Sequence, residues 1–338
     1  MAQVAQITNT FETYDAVGNR EELADKIHQI TPEETPFLSL IGRKSVSSTH
    51  PEWQTDTLGS VDLSNNQPEG NDWSYSAVSP TTRVGNYCQI SDKKIIISRT
   101  QDQTSKAGRK SELAREVAKK GVELKIDMEA IVLSNQASLA GSGNGATNRK
   151  LGGMRAWLAT NDNMNSGTSG GFNSSTNVVD AASNGSQRAF SKTILDSVIL
   201  STYNAGGSPK VFMCSPYVKT VFSTLMADSN VAPQRYETPK KDQTTIVAAA
   251  DMYLSDFGAI TVVPNRQMAR AGATVARNAF LIDPRMVSLG VFQDISLEKP
   301  AKTGDAEKRV LVTEYTLLVN NEAAHGVAAD LYGLTASS

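Results

Sequence analysis

With 338 residues, 39% hydrophobic content and 20% charge, the chain can build two ordinary domains with a core in each, which excludes a disordered protein. A formal net charge of −2 gives none of the basic excess carried by a domain that reads DNA sequence. Two cysteines, Cys88 and Cys214, stand far apart and outside any CxxC pair, which argues against a disulfide framework and for small buried residues in a reducing compartment. No apolar run approaches the roughly 18 residues of a membrane helix. The opening MAQVAQITNTFETYD lacks the basic-then-apolar layout of a signal peptide, so the expected place of synthesis and use is the cytoplasm or something assembled there.

Residues 1–48 read as an arm lying on other structure, with a short helix from Glu21 to Ile30 stopped by Pro32 and an extended segment after Pro36. Residues 49–100 predict a long hairpin. Its strands are THPEWQTDTL (49–58) and GNYCQISDKKIIISR (85–99), around a Ser-, Asn-, Pro- and Gly-rich tip. An isolated hairpin is marginal in water, so this one should lie on something else, such as another subunit. Residues 108–138 then predict a long charged helix with a thin apolar seam of Leu113, Val117, Leu124, Met128, Ile131 and Asn135. Glu116 precedes Lys120 by one helical turn and Glu112 precedes Arg115 by three residues, both favourable orders. At 1.5 Å per residue the rod would be roughly 45 Å long, ending at the glycines of 141–145.

LGGMRAWL (151–158) is a short ordered piece, and the polar, low-complexity residues 160–186 predict a flexible surface loop. From Arg188 the pattern becomes α/β. A helix marked by Phe190, Ile194, Leu195, Val198 and Ile199 ends at Gly206-Gly207. A buried strand at 209–216, a helix at 217–227, a polar excursion at 228–243 and strands at 246–265 and 279–284 follow. RVLVTEYTLLVN (309–320) is the strongest strand, with apolar residues on both faces, and should be packed between layers.

The motifs that would carry chemistry are weak. GSGNG (141–145) has the glycines of a phosphate loop but follows a helix and lacks the GK[ST] that places a helix N-terminus under the phosphate. His28, His50 and His325 stand alone, without the spacing of metal ligands. Ser215 sits in no GxSxG elbow and reads as a strand end or helix cap. The sequon at Asn173 has no meaning without secretion. The sequence therefore singles out no catalytic, cofactor-binding or metal-ligating residue, and no cofactor.

The order of parts resembles the major capsid proteins of tailed bacteriophages, which share the Hong Kong 97-type shell fold. The residues that carry the resemblance are THPEWQTDTL (49–58), TTRVGNYCQIS (81–91), GRKSELAREVAKKGVELKIDMEA (108–130) and LGGMRAWL (151–158). SDFGAITVVPNR (255–266), DPRMVSLG (283–290) and AKTGDAEKRVLVTEYTLLVNNEAAHG (301–326) follow in the same order.

The resemblance implies an α+β fold with residues 1–48 as N-arm and 49–100 as the extended E-loop with its base strands. Residues 101–187 would be a peripheral domain with a spine helix, 188–290 the axial domain, and 291–338 the return to the peripheral domain. The implied protein is not an enzyme. It would assemble with itself, through pentamers and hexamers, into an icosahedral head around double-stranded DNA, which it touches without sequence preference. Its other partners would be a portal and, where used, separate scaffold or decoration proteins, with no membrane contact; the covalent crosslinking of some relatives has no local motif here that would carry it over. Its place would be the virion, assembled in the host cytoplasm.

Trp53, Trp73 and Tyr75 are the candidate inter-subunit anchors, since Trp and Tyr are enriched at interface hot spots. Glu112 and Arg115 are candidate charged contacts along the spine helix. The rival readings are an encapsulin-like cargo compartment of the same fold and a soluble α/β enzyme with its site in 188–290.

Overall fold

The computed structural model describes residues 30–73, 75–105, 111–143, 145–227 and 251–336. The expected helix at 21–30, the polar excursion at 228–243, the first residues (108–110) of the expected long helix and 246–250 of the expected strand at 246–265 lie outside these residues, apart from Ile30. The segment after Pro36 is helical, not extended: Pro36 opens a single turn, α1 (Pro36–Leu40). Proline's fixed φ suits a helix start, where its missing N–H is not needed. The turn buries Phe37 and Leu38, and β1 (Gly42–Ser45) follows. Next, β2 (Glu52–Thr55) pairs antiparallel with β3 (Thr82–Gly85), leaving 56–81 as the connection. The expected second strand of that hairpin, β4 (Gln89–Ser98), instead pairs with a strand more than two hundred residues later.

After α2 (Arg99–Gln103), the long helix α3 (Glu112–Leu133) runs for 22 residues, about 33 Å. Ser111 caps its start by accepting the Ala114 N–H. Leu124, Met128, Val132 and Leu133 form its buried face, together with Glu129. The helix stops well before the glycines of 141–145. Ser134 closes the helix by donating to the Ile131 carbonyl, and Asn135, Gln136 and Ser138 then divert the chain by bonding to backbone groups elsewhere, which is why such residues disfavour helix interiors. Asn135 brackets Ala182 through both its amide atoms, and Ser138 accepts the Val179 N–H. The glycine segment is a loop closed by the Leu139–Lys150 bridge, with Gly141 at φ +77°.

Residues 160–186 are built into the fold, contrary to the expected flexible loop. After α4 (Met154–Trp157) come β5 (Asp162–Asn163), β6 (Gly171–Asn173) and β7 (Val178–Asp180). Val179 is fully buried. Asp162 pairs with Arg155 at 2.9 Å, both side chains wholly enclosed, and burial pushes the Asp162 carboxyl up against the pull of Arg155. Asp330 holds the far end, accepting from the Asn165 and Gly185 N–H groups and pairing with Arg277 at 2.7 Å.

The α/β stretch forms as its sequence predicts: α5 (Lys192–Asn204), β8 (Val211–Cys214), α6 (Pro216–Ala227), then β9 (Met252–Ser255) turning into β10 (Gly258–Pro264). Two short helices, α7 (Arg266–Arg270) and α8 (Ala273–Ala276), lead to β11 (Ala279–Ile282). The chain closes with β12 (Val287–Glu298), β13 (Ala306–Val319), a 3-10 turn at Glu322–Ala324 and β14 (Gly326–Ala328).

These strands make two larger sheets. One has the order β1-β12-β13-β4 with α3 laid against β4 and β13; the other has the order β5-β14-β11-β8-β10-β9. β13 is buried on both faces from Glu314 to Val319, as its two-sided apolar pattern predicts. One core joins α1, α3, α4 and the four-stranded sheet through Phe37, Met128, Trp157, Leu289 and Tyr315. The second fills the six-stranded sheet with Phe190, Leu195, Phe212, Phe222 and Leu281. Cys88 and Cys214 are free and buried, and burial pushes their thiols up to about 11 and about 12.

Candidate functional site

The β2–β3 hairpin is fixed at its base and bare at its tip. In register Trp53 faces Val84, and its indole stacks on Trp157 at 5.6 Å, which stacks in turn on Phe172 of β6 at 6.0 Å. His50 stacks on Tyr87 at 4.0 Å. Burial lowers the His50 pKa, partly offset by Glu52, so the ring favours its neutral form there. A side chain at Gly85 would push on its neighbours, because a Cβ would lie 2.9 Å from side-chain atoms of Glu52 and His50. Just past β3, buried Asn86 donates to the carbonyls of Gly152 (3.1 Å) and Leu317 (2.9 Å) and accepts the Gly152 N–H at 2.7 Å. This one amide ties the hairpin to the start of α4 and to β13.

Beyond Thr55 the chain leaves the body of the protein. Trp73 is 71% exposed and Tyr75 92%, and Leu58, Val61, Leu63 and Val78 are exposed as well. Residues 56–81 contain Asp56, Asp62, Glu69 and Asp72 and neither Lys nor Arg. Several large apolar side chains therefore stand exposed together on an acidic loop.

The structure thus separates the candidate anchors. Trp53 packs inside its own subunit, whereas Trp73 and Tyr75 stand out at the loop tip. Glu112 and Arg115 meet each other at 2.6 Å on α3, and Arg115 also reaches Glu116. The hydrogen bond to Glu112 raises the Arg115 pKa.

Two organising residues escaped the sequence reading, Asn86 and Glu129. Glu129, fully buried, accepts the N–H groups of Phe37 and Leu38, each at 2.8 Å, and the side-chain amide of Asn265 at 2.6 Å. It thereby links α3 to α1 and to the cap of α7. Burial pushes its carboxyl up, and the three donors oppose that shift. Their only sequence signal is a polar residue inside an apolar neighbourhood, which a single sequence does not distinguish from a surface position.

The other motifs take structural places. Ser215 caps α6 by accepting the Val218 N–H and donates to the Gly333 carbonyl at 2.7 Å. Asn173 shapes the β6–β7 turn by accepting the Ser175 N–H. His325 is fully enclosed, with Nδ1 accepting the Asp283 N–H at 3.2 Å, and burial lowers its pKa to about 4. At the far end of the six-stranded sheet, edge strand β9 exposes Met252 and Leu254 near the Tyr203–Phe257 ring pair.

A helix laid along one sheet, a second sheet reached through β12 and β13, and an uncovered hairpin loop make up the Hong Kong 97-type fold of phage shell subunits. A chain from the cyanophage A-1(L) capsid asymmetric unit matches 95% of this chain and 98% of its own length, with a TM-score of 0.63 at 12% identity. The holo-SrpI encapsulin of Synechococcus elongatus matches 95% and 94%, with a TM-score of 0.54 at 9% identity, which is a likeness of fold alone. By sequence the chain belongs to the SU10 major capsid protein family, whose model matches residues 6–332. A relative named major capsid protein, from Escherichia phage Phieco32, is 28% identical over 360 residues, covering 97% of this chain and 98% of the relative.

Proposed function

We propose that the chain builds a phage head by associating with itself into five- and six-membered rings that close around double-stranded DNA. The observation that carries this reading is the loop of residues 56–81, which leaves its subunit with its apolar side chains uncovered. Membership of the SU10 major capsid protein family supports it. Residues 1–48 would serve as N-arm, 49–100 as E-loop and base, 101–187 with 291–338 as the peripheral part, and 188–290 as the axial part meeting at ring centres. Strands β5 and β14 add to the axial sheet from outside that last range.

Heterologous contacts that close make rings, and rings joined by further contacts make a closed surface. Many modest contacts per subunit then add up to a durable shell. The loop absorbs the difference between pentameric and hexameric settings. Contact with DNA is weak and independent of sequence, and a portal with separate scaffold or decoration proteins completes the particle. The virion is its place, after assembly in the host cytoplasm.

Negative-stain electron microscopy of the purified protein, with size-exclusion chromatography alongside, tests this reading. Rings or closed particles are expected. Monomers that persist with candidate scaffold proteins would overturn it, and cargo protein inside empty shells would favour an encapsulin-like compartment.

A further inference from the structure

The β6–β7 hairpin joins neither of the two larger sheets, yet it is built to one shape. Gly171 pairs with Asp180 at its open end, and the Asn177 N–H closes its turn on the Asn173 carbonyl at 2.8 Å. Asn177 stands in the left-handed region at φ +56°, which asparagine tolerates. The seat is equally fixed. Val179 is fully buried and accepts the Ser138 N–H at 2.9 Å while its own N–H donates to the Ser138 hydroxyl at 2.6 Å. Gly170 passes so close to α4 that a Cβ there would lie 2.5 Å from the Ala156 carbonyl oxygen. From this seat the hairpin supports the root of β2 in two places. Phe172 backs Trp157, on which Trp53 stacks. At the tip, the Asn177 side-chain amide donates to Glu52 Oε1 at 3.0 Å. Glu52 and Trp53 are successive strand residues, so the two supports act on opposite faces of β2. The Glu52 carboxylate also pairs with Arg83 of β3 at 3.5 Å, so Asn177 reaches both strands through one group.

We infer that the β6–β7 hairpin is a bracket that aims the loop of residues 56–81, with Asn177 and Glu52 as its positioning residues. A strand held through one stacked ring can roll about that ring, and a second hold on the opposite face removes the roll. The lever is long. The midpoint of the loop can lie up to about 40 Å beyond the root, where a tilt of about ten degrees moves it by about 7 Å. That displacement exceeds the spacing of neighbouring strands, so slack at the root decides which surface the loop meets. The Asn86 amide fixes where the β2–β3 hairpin starts, and the bracket fixes where it points. A loop aimed before contact also has less freedom to lose on binding. The aim is a property of the single subunit; its value for assembly rests on the shell reading.

Double electron–electron resonance on the unassembled full chain tests the bracket, with spin labels on Leu58→Cys at the start of the loop and Lys94→Cys on β4. Both positions are exposed, and the native Cys88 and Cys214 are buried away from the label. The parent should give one narrow distance distribution. Asn177→Asp sets a second carboxylate against Glu52 and should shift or broaden that distribution while the subunit melts as the parent does. Asn177→Gly suits the left-handed φ and removes only the donor, so it should broaden the distribution without added charge. Asn177→Asp combined with Glu52→Gln again sets an amide donor against a carboxylate and should bring the narrow distribution back. A parent distribution that is already broad, single variants that match the parent, or a double variant no narrower than Asn177→Asp would each overturn the bracket. Assembly followed by light scattering should slow in Asn177→Asp and recover in the double variant. A chain that assembles in none of these forms overturns the shell reading and leaves the aim to be decided by the distances.

Discussion

Trp53 and Trp73 lie on the same hairpin and in similar polar sequence, yet one sits in a stack of three rings and the other in water. The difference is what each can reach. Trp53 stands on a paired strand whose register aims it at Trp157, and the Asn86 amide holds that strand to the body. Trp73 stands where no pairing remains to aim it. The base of the hairpin is therefore part of folding, and the proposed shell reading gives its exposed tip to assembly. One segment divides its aromatic residues between the two tasks.

The sharpest way to break this division is to replace residues 60–80 by a short Gly-Ser turn. The subunit should melt as the parent does, while closed shells disappear from electron micrographs; normal shells would sink the role given to the tip. At the base, Trp157→Ala should cost about 3–5 kcal/mol in chemical denaturation, because it empties the centre of the stack. Acidification loosens the interior through one buried ring. His325 is held neutral, so its contribution is fully present above pH 6.5 and is lost as pH falls toward about 4. The loss is about 3 kcal/mol in all, from a shift of that size. Unfolding midpoints measured across that window should fall, and His325→Gln should flatten the slope.

Paired substitutions at the tip test the other half. Trp73→Ala should leave the melting of the unassembled subunit within about 0.5 kcal/mol while weakening assembly by about 2 kcal/mol or more. Trp53→Ala should do the reverse. The smallest effect belongs to the cluster on α3: Arg115→Gln should cost about 0.2–1 kcal/mol, fading with added salt, since it removes partly exposed helical ion pairs to Glu112 and Glu116. A much larger effect on shells than on subunits would place Arg115 in a contact between copies.

Much of this architecture is legible in the residues, and the illegible parts share a cause. The helices and strands from Arg188 to Ala227 follow their own periodicity, punctuated by Gly206-Gly207 and Pro216, so local sequence suffices there. β13 announces itself by apolar residues on both faces. Residues 160–186 mislead because Ser, Asn and Gly suit a loop, while what orders them lies far away in sequence: Arg155 under Asp162, Trp157 under Phe172, Asp330 over Gly185. The hairpin misleads in the same way. Residues 89–98 have strand character, but only the distant β13 decides which strand they join. At the candidate site, the exposed Trp73 and Tyr75 follow from composition, whereas Asn86 and Glu129 do not, because their importance is a matter of burial.

Strand β1 has a mechanical consequence. It continues directly from α1 and lies parallel to β12, with Gly42 to Ser45 in register against Ser288 to Val291. A pull along β1's own axis slides it past β12 and does not peel it away, so the rungs between them stretch together. Resistance is then shared across the whole ladder, as in a lap joint. A container strained from within would pass its tension into the four-stranded sheet along the direction in which that joint is strongest.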